Sequence, residues 1–209
     1  MDIKLGRYQN FLKLEDPTEE DALVALLGIP RNELNKLQLD KVQELQGTLE
    51  AFYELIENQS ECKFTPIFEI DGIKFGFIPN LDKISYGENK DIINYSNEWD
   101  YMHKAMAVCY RPVKDFHKGK YTIEEYNGTE EYSDLMKKAP LHIVLGMRVF
   151  FYNLITQLLS YTQSSIAMDL VETLQNFPGS GEAITNYSNW LMEIYQDSMK
   201  SLDSRYINA

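Results

Sequence analysis

The sequence predicts an α+β protein that is predominantly α-helical, in which a helical bundle carries one small β-hairpin. Two observations support this class. Apolar residues recur at spacings of three and four through much of the chain, which is typical of amphipathic helices. Between residues 64 and 78, two β-rich runs flank an Asp-Gly pair, the strongest short signal for a hairpin. A chain of 209 residues with 44% hydrophobic residues is long enough to bury a core.

Two helices are predicted in an N-terminal helical region, residues 1–62. The first begins at Asp16 and Pro17, with Glu19 completing a capping box, and it ends at Gly28. The second has apolar residues at helical spacing and Glu and Gln on its opposite face. The apolar stripe consists of Val42, Leu45, Leu49, Phe52 and Ile56.

The hairpin opens a core region, residues 63–177. Its turn is Asp71-Gly72, because a type I′ turn needs positive φ at both central residues. Pro66 is expected at a sheet edge or a strand start. Gly76 is expected to mark a bulge or the close approach of another backbone.

Four further elements follow the hairpin in the core region, one of them a brief helix around Glu131 to Lys138. We predict a helix from about Glu98 to Tyr110, a short strand from Tyr121 to Tyr126, and a long apolar helix from Pro140 toward Tyr161. Arg148 lies near the middle of the long helix and disfavours a membrane span, since a central Arg is costly in hydrocarbon. A Gly-Ser-Gly break then precedes a C-terminal helix, residues 182–209, and all three regions are expected to form one compact unit.

The net charge of −12 disfavours nucleic acids and anionic membranes as partners. One short basic segment, Lys114–Lys120, is the exception, and it is expected to be a solvated loop. The N-terminus lacks the apolar core of a signal peptide, and Cys62 and Cys109 form no CxxC pair. We therefore expect a protein made and retained in a cytoplasm.

The sequence lacks the patterns that place reactive groups together. No histidine lies at a metal-ligand spacing from another, and there is no P-loop, nucleophile elbow or oriented Cys-His pair. Asp82, Glu88 and Asp91 have a spacing that fits no calcium loop. We accordingly predict no catalytic, metal-binding or cofactor-binding residues.

Aromatic residues point instead to contacts between proteins. The chain has 14 Tyr, 10 Phe and 2 Trp, and Tyr combines a large contact area with a polar tip. Three aromatic residues are successive in the long helix, and three adjacent helix positions cannot all face one core. We predict interface residues in the hairpin and in this helix, namely Phe68, Ile70, Ile73, Phe75, Phe77, Phe150, Phe151 and Tyr152.

Four blocks of this chain resemble a family of tailed-bacteriophage proteins from phages of gut Bacteroidetes, including crAss-like phages. The first block follows F-x-F-I-P-x-L-x-K-I-[ST]-x-G-E over Phe75 to Glu88, and the second follows H-K-x-M-A-V-x-Y-R-P over His103 to Pro112. The third follows Y-x-I-E-x-Y-x-G over Tyr121 to Gly128. The fourth follows P-x-x-[IV]-x-[LI]-G-x-x-x-F-F-x-N-L over Pro140 to Leu154.

The resemblance implies a structural or assembly role in a virion built in the host bacterial cytoplasm. The leading interpretation is a neck or tail ring protein, a head-tail connector, whose partners are copies of itself and portal or tail proteins. Such a ring would use head-to-tail contacts that close under cyclic symmetry. The alternatives are a tail assembly chaperone that leaves the virion, a protein packaged inside the capsid, and a small enzyme that uses unpatterned carboxylates.

Overall fold

The computed structural model describes residues 3–117 and 120–157. Contacts divide the chain into two units, Met1–Val149 and Phe150–Ala209. Of the second unit, the described part is residues 150–157, which are helical. The predicted break near residue 180 and the predicted C-terminal helix, residues 182–209, lie outside the described residues.

The first unit combines helices with a four-stranded antiparallel sheet whose strands are ordered β1-β2-β3-β4. The helices are α1 (Leu5–Phe11), α2 (Glu19–Leu27), α3 (Arg31–Leu34), α4 (Leu39–Glu57), α5 (Tyr86–Tyr95), α6 (Met102–Cys109), α7 (Ser133–Met136) and α8, which begins at residue 141. The strands are β1 (Ile67–Ile70), β2 (Ile73–Phe77), β3 (Tyr110–His117) and β4 (Lys120–Ile123).

The prediction of a helical bundle with one small hairpin is wrong. The β1–β2 hairpin is present, and both turn residues, Asp71 and Gly72, have positive φ. However, β3 and β4 extend the hairpin into a four-stranded meander. The described helices contact one another in pairs, such as α1 with α2 and α5 with α6, and no single bundle is clearly shown.

The predicted strand at Tyr121 to Tyr126 is present as β4, Lys120–Ile123. The sheet was underestimated because Tyr110 was assigned to the end of a helix and the basic segment to a loop. The predicted helix over Glu98 to Tyr110 begins as a 3-10 turn, continues as α6, and ends at Cys109. Tyr110 already belongs to β3, and Pro112 forces extended geometry on Arg111 before it. The basic segment expected to be a loop continues β3 as far as His117.

Helix α6 lies at the centre of the core and contacts α5, α7 and β3. Its side chains are buried on nearly every face, which explains why its sequence shows no clean polar side. The buried members are Met102, Ala105, Met106, Ala107, Val108 and Cys109.

Aromatic rings pack between the sheet and the core. Tyr110 contacts Phe68 and Phe77 edge to face, with ring centroids 4.9 and 5.2 Å apart. Its hydroxyl donates a hydrogen bond of 2.7 Å to the carbonyl of Thr65. This bond satisfies the polar tip of a ring that is otherwise fully buried.

The N-terminal region contains both predicted helices, as α2 and α4, and one helix that was not predicted. Helix α1 was not predicted, and it is tied to distant backbone by a bond from Leu5 N to Ala139 O of 2.9 Å. Helix α2 is capped by Thr18 with a capping box to Asp21, two residues after the predicted cap, and it ends at Gly28 as predicted. Helix α4 has the predicted stripe, but its only buried residues are Leu49 and Phe52.

The long apolar helix begins after Pro140, as its sequence predicts, and is helical to residue 157. The guanidinium of Arg148 lies 4.3 Å above the centroid of the Trp99 ring, so a packed cation–π contact accommodates this charge. Over residues 3–117 and 120–157, no helix is both long and apolar enough to cross a membrane.

Gly76 makes room for a side chain rather than for a bulge or another backbone. The Tyr121 ring of β4 crosses β3 and lies over Gly76, and its hydroxyl donates a hydrogen bond of 2.8 Å to Phe77 O. A Cβ atom at Gly76 would lie 2.6 Å from Tyr121 Cε2. The bulge in this sheet lies instead in β3, between Val113 and Asp115.

Replacing Gly76 with Ala should therefore destabilise the protein by about 1–3 kcal/mol, because overpacking displaces the ring and its hydrogen bond. Thermal or urea unfolding of the variant measures this loss. The matched control is Gly47→Ala in α4, where an added Cβ has nothing within 4 Å. Since Ala favours a helix interior over Gly by about 1 kcal/mol, Gly47→Ala should stabilise. Equal effects at the two glycines would refute the role given to Tyr121.

Candidate interaction surface

A buried ion pair joins the start of β3 to helix α5. Arg111 Nη2 donates to Glu88 Oε1 at 2.6 Å, and the two side chains are 9% and 8% exposed. Glu88 also caps its own helix, because its carboxylate accepts a hydrogen bond of 2.6 Å from the backbone N–H of Ser85. In return Ser85 Oγ accepts from Glu88 N at 3.2 Å, which completes a capping box.

Tyr126, from a third segment of the chain, packs against this pair. The Tyr126 ring centroid lies 5.7 Å from the Arg111 guanidinium carbon, and the Tyr126 hydroxyl donates to the Asp91 carboxylate. Burial and this hydrogen bond raise the pKa of Tyr126. Glu88, Arg111 and Tyr126 belong to the first, second and third sequence blocks, so these blocks meet inside one protomer.

The electrostatics of Glu88, Arg111 and Tyr126 fit a structural role. Burial opposes ionisation of Glu88, but the hydrogen bonds from Ser85 and the charge of Arg111 outweigh it and hold its pKa below the usual value. The carboxylate is thus ionised at neutral pH, with both oxygens accepting hydrogen bonds. A general acid or base needs a proton that it can gain and lose near the working pH, and Glu88 is poorly suited to that task.

Two other groups capable of chemistry are buried or partly buried. Cys109 is buried, and burial raises its pKa to about 12, which removes the thiolate needed for nucleophilic attack. His103 Nδ1 lies 3.1 Å from Gln9 Nε2, and burial lowers the pKa of the imidazole. In the part of the chain that the structure describes, no three His, Cys, Asp or Glu residues are grouped so as to hold a metal ion.

A basic hairpin arm extends beyond the part of β3 that pairs with β2. The β2–β3 pairing ends at Phe75 and Pro112, and β3 then pairs with β4 alone. We call residues 113–117 and 120–123 the arm. Phe116 on the arm is 63% exposed and lies opposite Tyr121, which places both rings on one face of the arm.

An apolar cleft of about 390 Å³ separates the arm from the β1–β2 hairpin. Phe116 lines one side of the cleft, and the hairpin lines the other with residues of β1 and β2. The lining residues are Ile67, Phe68, Glu69, Lys74, Val113 and Phe116.

A second concave surface follows helix α4. Two adjoining grooves of about 330 and 380 Å³ share Ala51 and Leu55, and together we call them the α4 trough. The small residues Gly47 and Ala51 lower its floor, while Glu44, Glu54 and Glu61 contribute carboxylates to its lining.

The structure separates the predicted interface residues into three groups by burial and position. Four hairpin side chains belong to the protomer core, whereas Ile73 is 37% exposed at the turn. The core members are Phe68, Ile70, Phe75 and Phe77. Phe150, Phe151 and Tyr152 are half-buried in the second unit, where the Phe150 and Phe151 rings pack edge to face at 5.5 Å.

Sequence reasoning missed Phe116 and the α4 trough as exposed surfaces. The signal for the arm was present, since a Phe lies within the one basic segment of an acidic chain. Because the basic segment was assigned to a loop, its pairing with β4, which places the Phe116 ring at the surface, was not predicted. The trough depends on which side of α4 the rest of the fold leaves uncovered, and helical periodicity does not show this.

Comparisons with known proteins give no assignment. No protein-family model, no curated protein and no solved structure matches this chain.

Breaking the buried ion pair should destabilise the fold strongly. Glu88→Gln leaves the Arg111 charge buried without its counterion, and we expect a loss of about 3 kcal/mol in the free energy of unfolding at pH 7. Replacing both residues with Met should restore part of that loss, because the unpaired charge is then gone. The matched control is Asp134→Asn, which removes an exposed ion pair with Lys137 and should change little.

The effect of Glu88→Gln should also depend on pH. The folded-state pKa of Glu88 lies below its unfolded value of about 4.3, so its contribution is complete above that pH and is lost as pH falls through the folded pKa. Urea unfolding of both proteins should show a stability difference that is constant near neutrality and shrinks below about pH 4.3. A difference independent of pH down to acid unfolding would contradict the ionised pair.

Proposed function

We propose that this protein is a non-enzymatic structural component of a tailed-phage virion, a neck or tail ring protein that acts as a head-tail connector. Its partners are copies of itself in a ring and neighbouring portal or tail proteins. The observation that carries the proposal is the basic arm with its exposed Phe116, which extends from a protein of net charge −12. An exposed aromatic ring among positive charges, on a protein that is negative overall, is a suitable anchor for a protein partner.

The environments of the potentially reactive side chains favour assembly over catalysis. Glu88 and Arg111 neutralise each other in the interior, Cys109 is buried as a thiol, and Tyr126 is hydrogen bonded to Asp91. Each of these side chains has a structural use that accounts for its environment. An enzyme would need other groups of this chain for its chemistry.

The resemblance in the four blocks supports the same class of protein. The first three blocks contribute the ion pair, the Gly76–Tyr121 contact and the buried α6, which are interior contacts of the first unit. A family pattern concentrated on such contacts describes a shared scaffold. The function then rests on the surfaces that the scaffold presents, among them the arm and the α4 trough.

Proteomics of purified virions tests the proposal directly. A structural component should be present at a constant number of copies per particle after extensive purification. Its absence from particles, together with its presence in infected-cell lysate, would refute the ring assignment and favour the tail assembly chaperone.

The assembly state of the purified protein provides a second measurement. Light scattering coupled to size exclusion should give a mass that is a multiple of the 24.3 kDa protomer and that stops increasing with concentration, because a ring closes. A mass that grows without limit would indicate an open filament. Retention of the oligomer at neutral pH and its loss in the Glu88→Gln variant would show that assembly requires the intact fold.

A further inference from the structure

We infer that the basic arm of one protomer binds in the acidic α4 trough of the next protomer, so that one heterologous contact is repeated around the assembly. This inference rests on the proposed function, because it identifies the surfaces through which copies of the chain would join. A second copy is the occupant to which both surfaces point, since the chain carries both halves of the contact.

Charge complementarity is the first argument. The residues that line the trough include three carboxylates, Glu44, Glu54 and Glu61, and no lysine or arginine. The described residues of the arm include two lysines, Lys114 and Lys120, and one aspartate, Asp115, a balance of +1. Opposite potentials on two surfaces of one molecule favour association between copies and oppose trough-to-trough pairing.

The apolar parts of the two surfaces also match. Phe116 is 63% exposed, and it lines an apolar cleft with Val113 and Ile67. The trough has a floor of Gly47, Ala51 and Leu55, where an aromatic ring can approach the helix closely. Burying the ring against this floor supplies the hydrophobic part of an interface, and the surrounding charges supply its polar rim.

The positions of the charges make the contact directional. Lys114 and Lys120 are exposed on the arm, and Glu54 and Glu61 are exposed at the trough. The arm and the trough are different surfaces of the protomer, so each can engage a different neighbour, and the contact is then head-to-tail. A closed ring is the outcome when the rotation between neighbours divides a full turn, which is what the proposed function requires.

Charge reversal provides a sharp test. Variant one carries Lys114→Glu and Lys120→Glu, and variant two carries Glu54→Lys and Glu61→Lys. Each variant alone places like charges on the arm and the trough, so each should fall to a mass near the 24.3 kDa protomer by light scattering. Mixing the two should restore assembly, because the two variants then alternate and each arm meets a trough of opposite sign. The mass should equal that of the wild type when the ring has an even number of protomers. The variant with all four changes should assemble on its own.

Control variants separate this contact from general charge effects and from misfolding. Lys83→Glu with Lys90→Glu changes the net charge by the same amount as variant one, at exposed positions outside the arm and the trough, and should assemble like the wild type. Phe116→Ser should weaken assembly at all salt concentrations, whereas the wild-type mass should fall as salt rises. Circular dichroism and unfolding midpoints confirm that each variant is folded.

The outcomes distinguish the inference from the proposed function. An oligomer that persists in both charge-reversed variants, or a mixture that stays monomeric, overturns the arm-to-trough contact. The ring assignment is then decided separately, by whether the protein is present in purified virions. A wild-type protein that is monomeric up to near-millimolar concentration overturns the contact as well, whatever the virion proteomics shows.

Discussion

The buried pair of Glu88 and Arg111 is the interaction on which the first unit depends. Taking two charges out of water is costly, and the cost is offset only when geometry and additional hydrogen bonds are favourable. Here Glu88 meets both conditions, because the carboxylate that accepts from Arg111 also accepts from the Ser85 backbone. One side chain thus begins helix α5 and fixes the start of β3. The Tyr126 ring lies against the arginine and reduces its access to water.

The β2–β3 pairing ends one residue after Arg111, at Pro112. Arg111 pairs with Gly76 in the β2–β3 ladder, at the position where Tyr121 crosses from β4. Up to Pro112 the sheet is anchored by the ion pair on α5 and by buried aromatic rings. Beyond Pro112 a bulge bends β3, and the arm leaves the core with Phe116 at the surface. The rigid base of the sheet therefore orients an arm whose own side chains are largely exposed.

Local signals in the sequence predicted local structure well. Asp71-Gly72 indicated the hairpin turn, Gly28 the end of α2, and Pro140 the start of α8, because each depends on backbone geometry within a few residues. The failures are elements that need distant partners. Helix α1 is held by hydrogen bonds to residues 137–141, and β3 exists because β2 and β4 flank it. The capping residue of α2 was misplaced because Asp16 and Thr18 both precede suitable acidic residues, and only Thr18 has the extended backbone that a cap needs.

The candidate surface was predictable in its composition but not in its location. Hydrophobic hairpin residues such as Phe75 and Phe77 satisfied the pattern of an interface, yet the same pattern describes a strand buried on a core. A basic segment with a phenylalanine in an acidic chain carried the more specific information. The exposed ring at position 116 is costly to leave in water, and the lysines around it oppose the charge of the molecule that carries it. Their presence on an arm anchored by a buried ion pair is explained if the arm is oriented for the acidic surface of another copy.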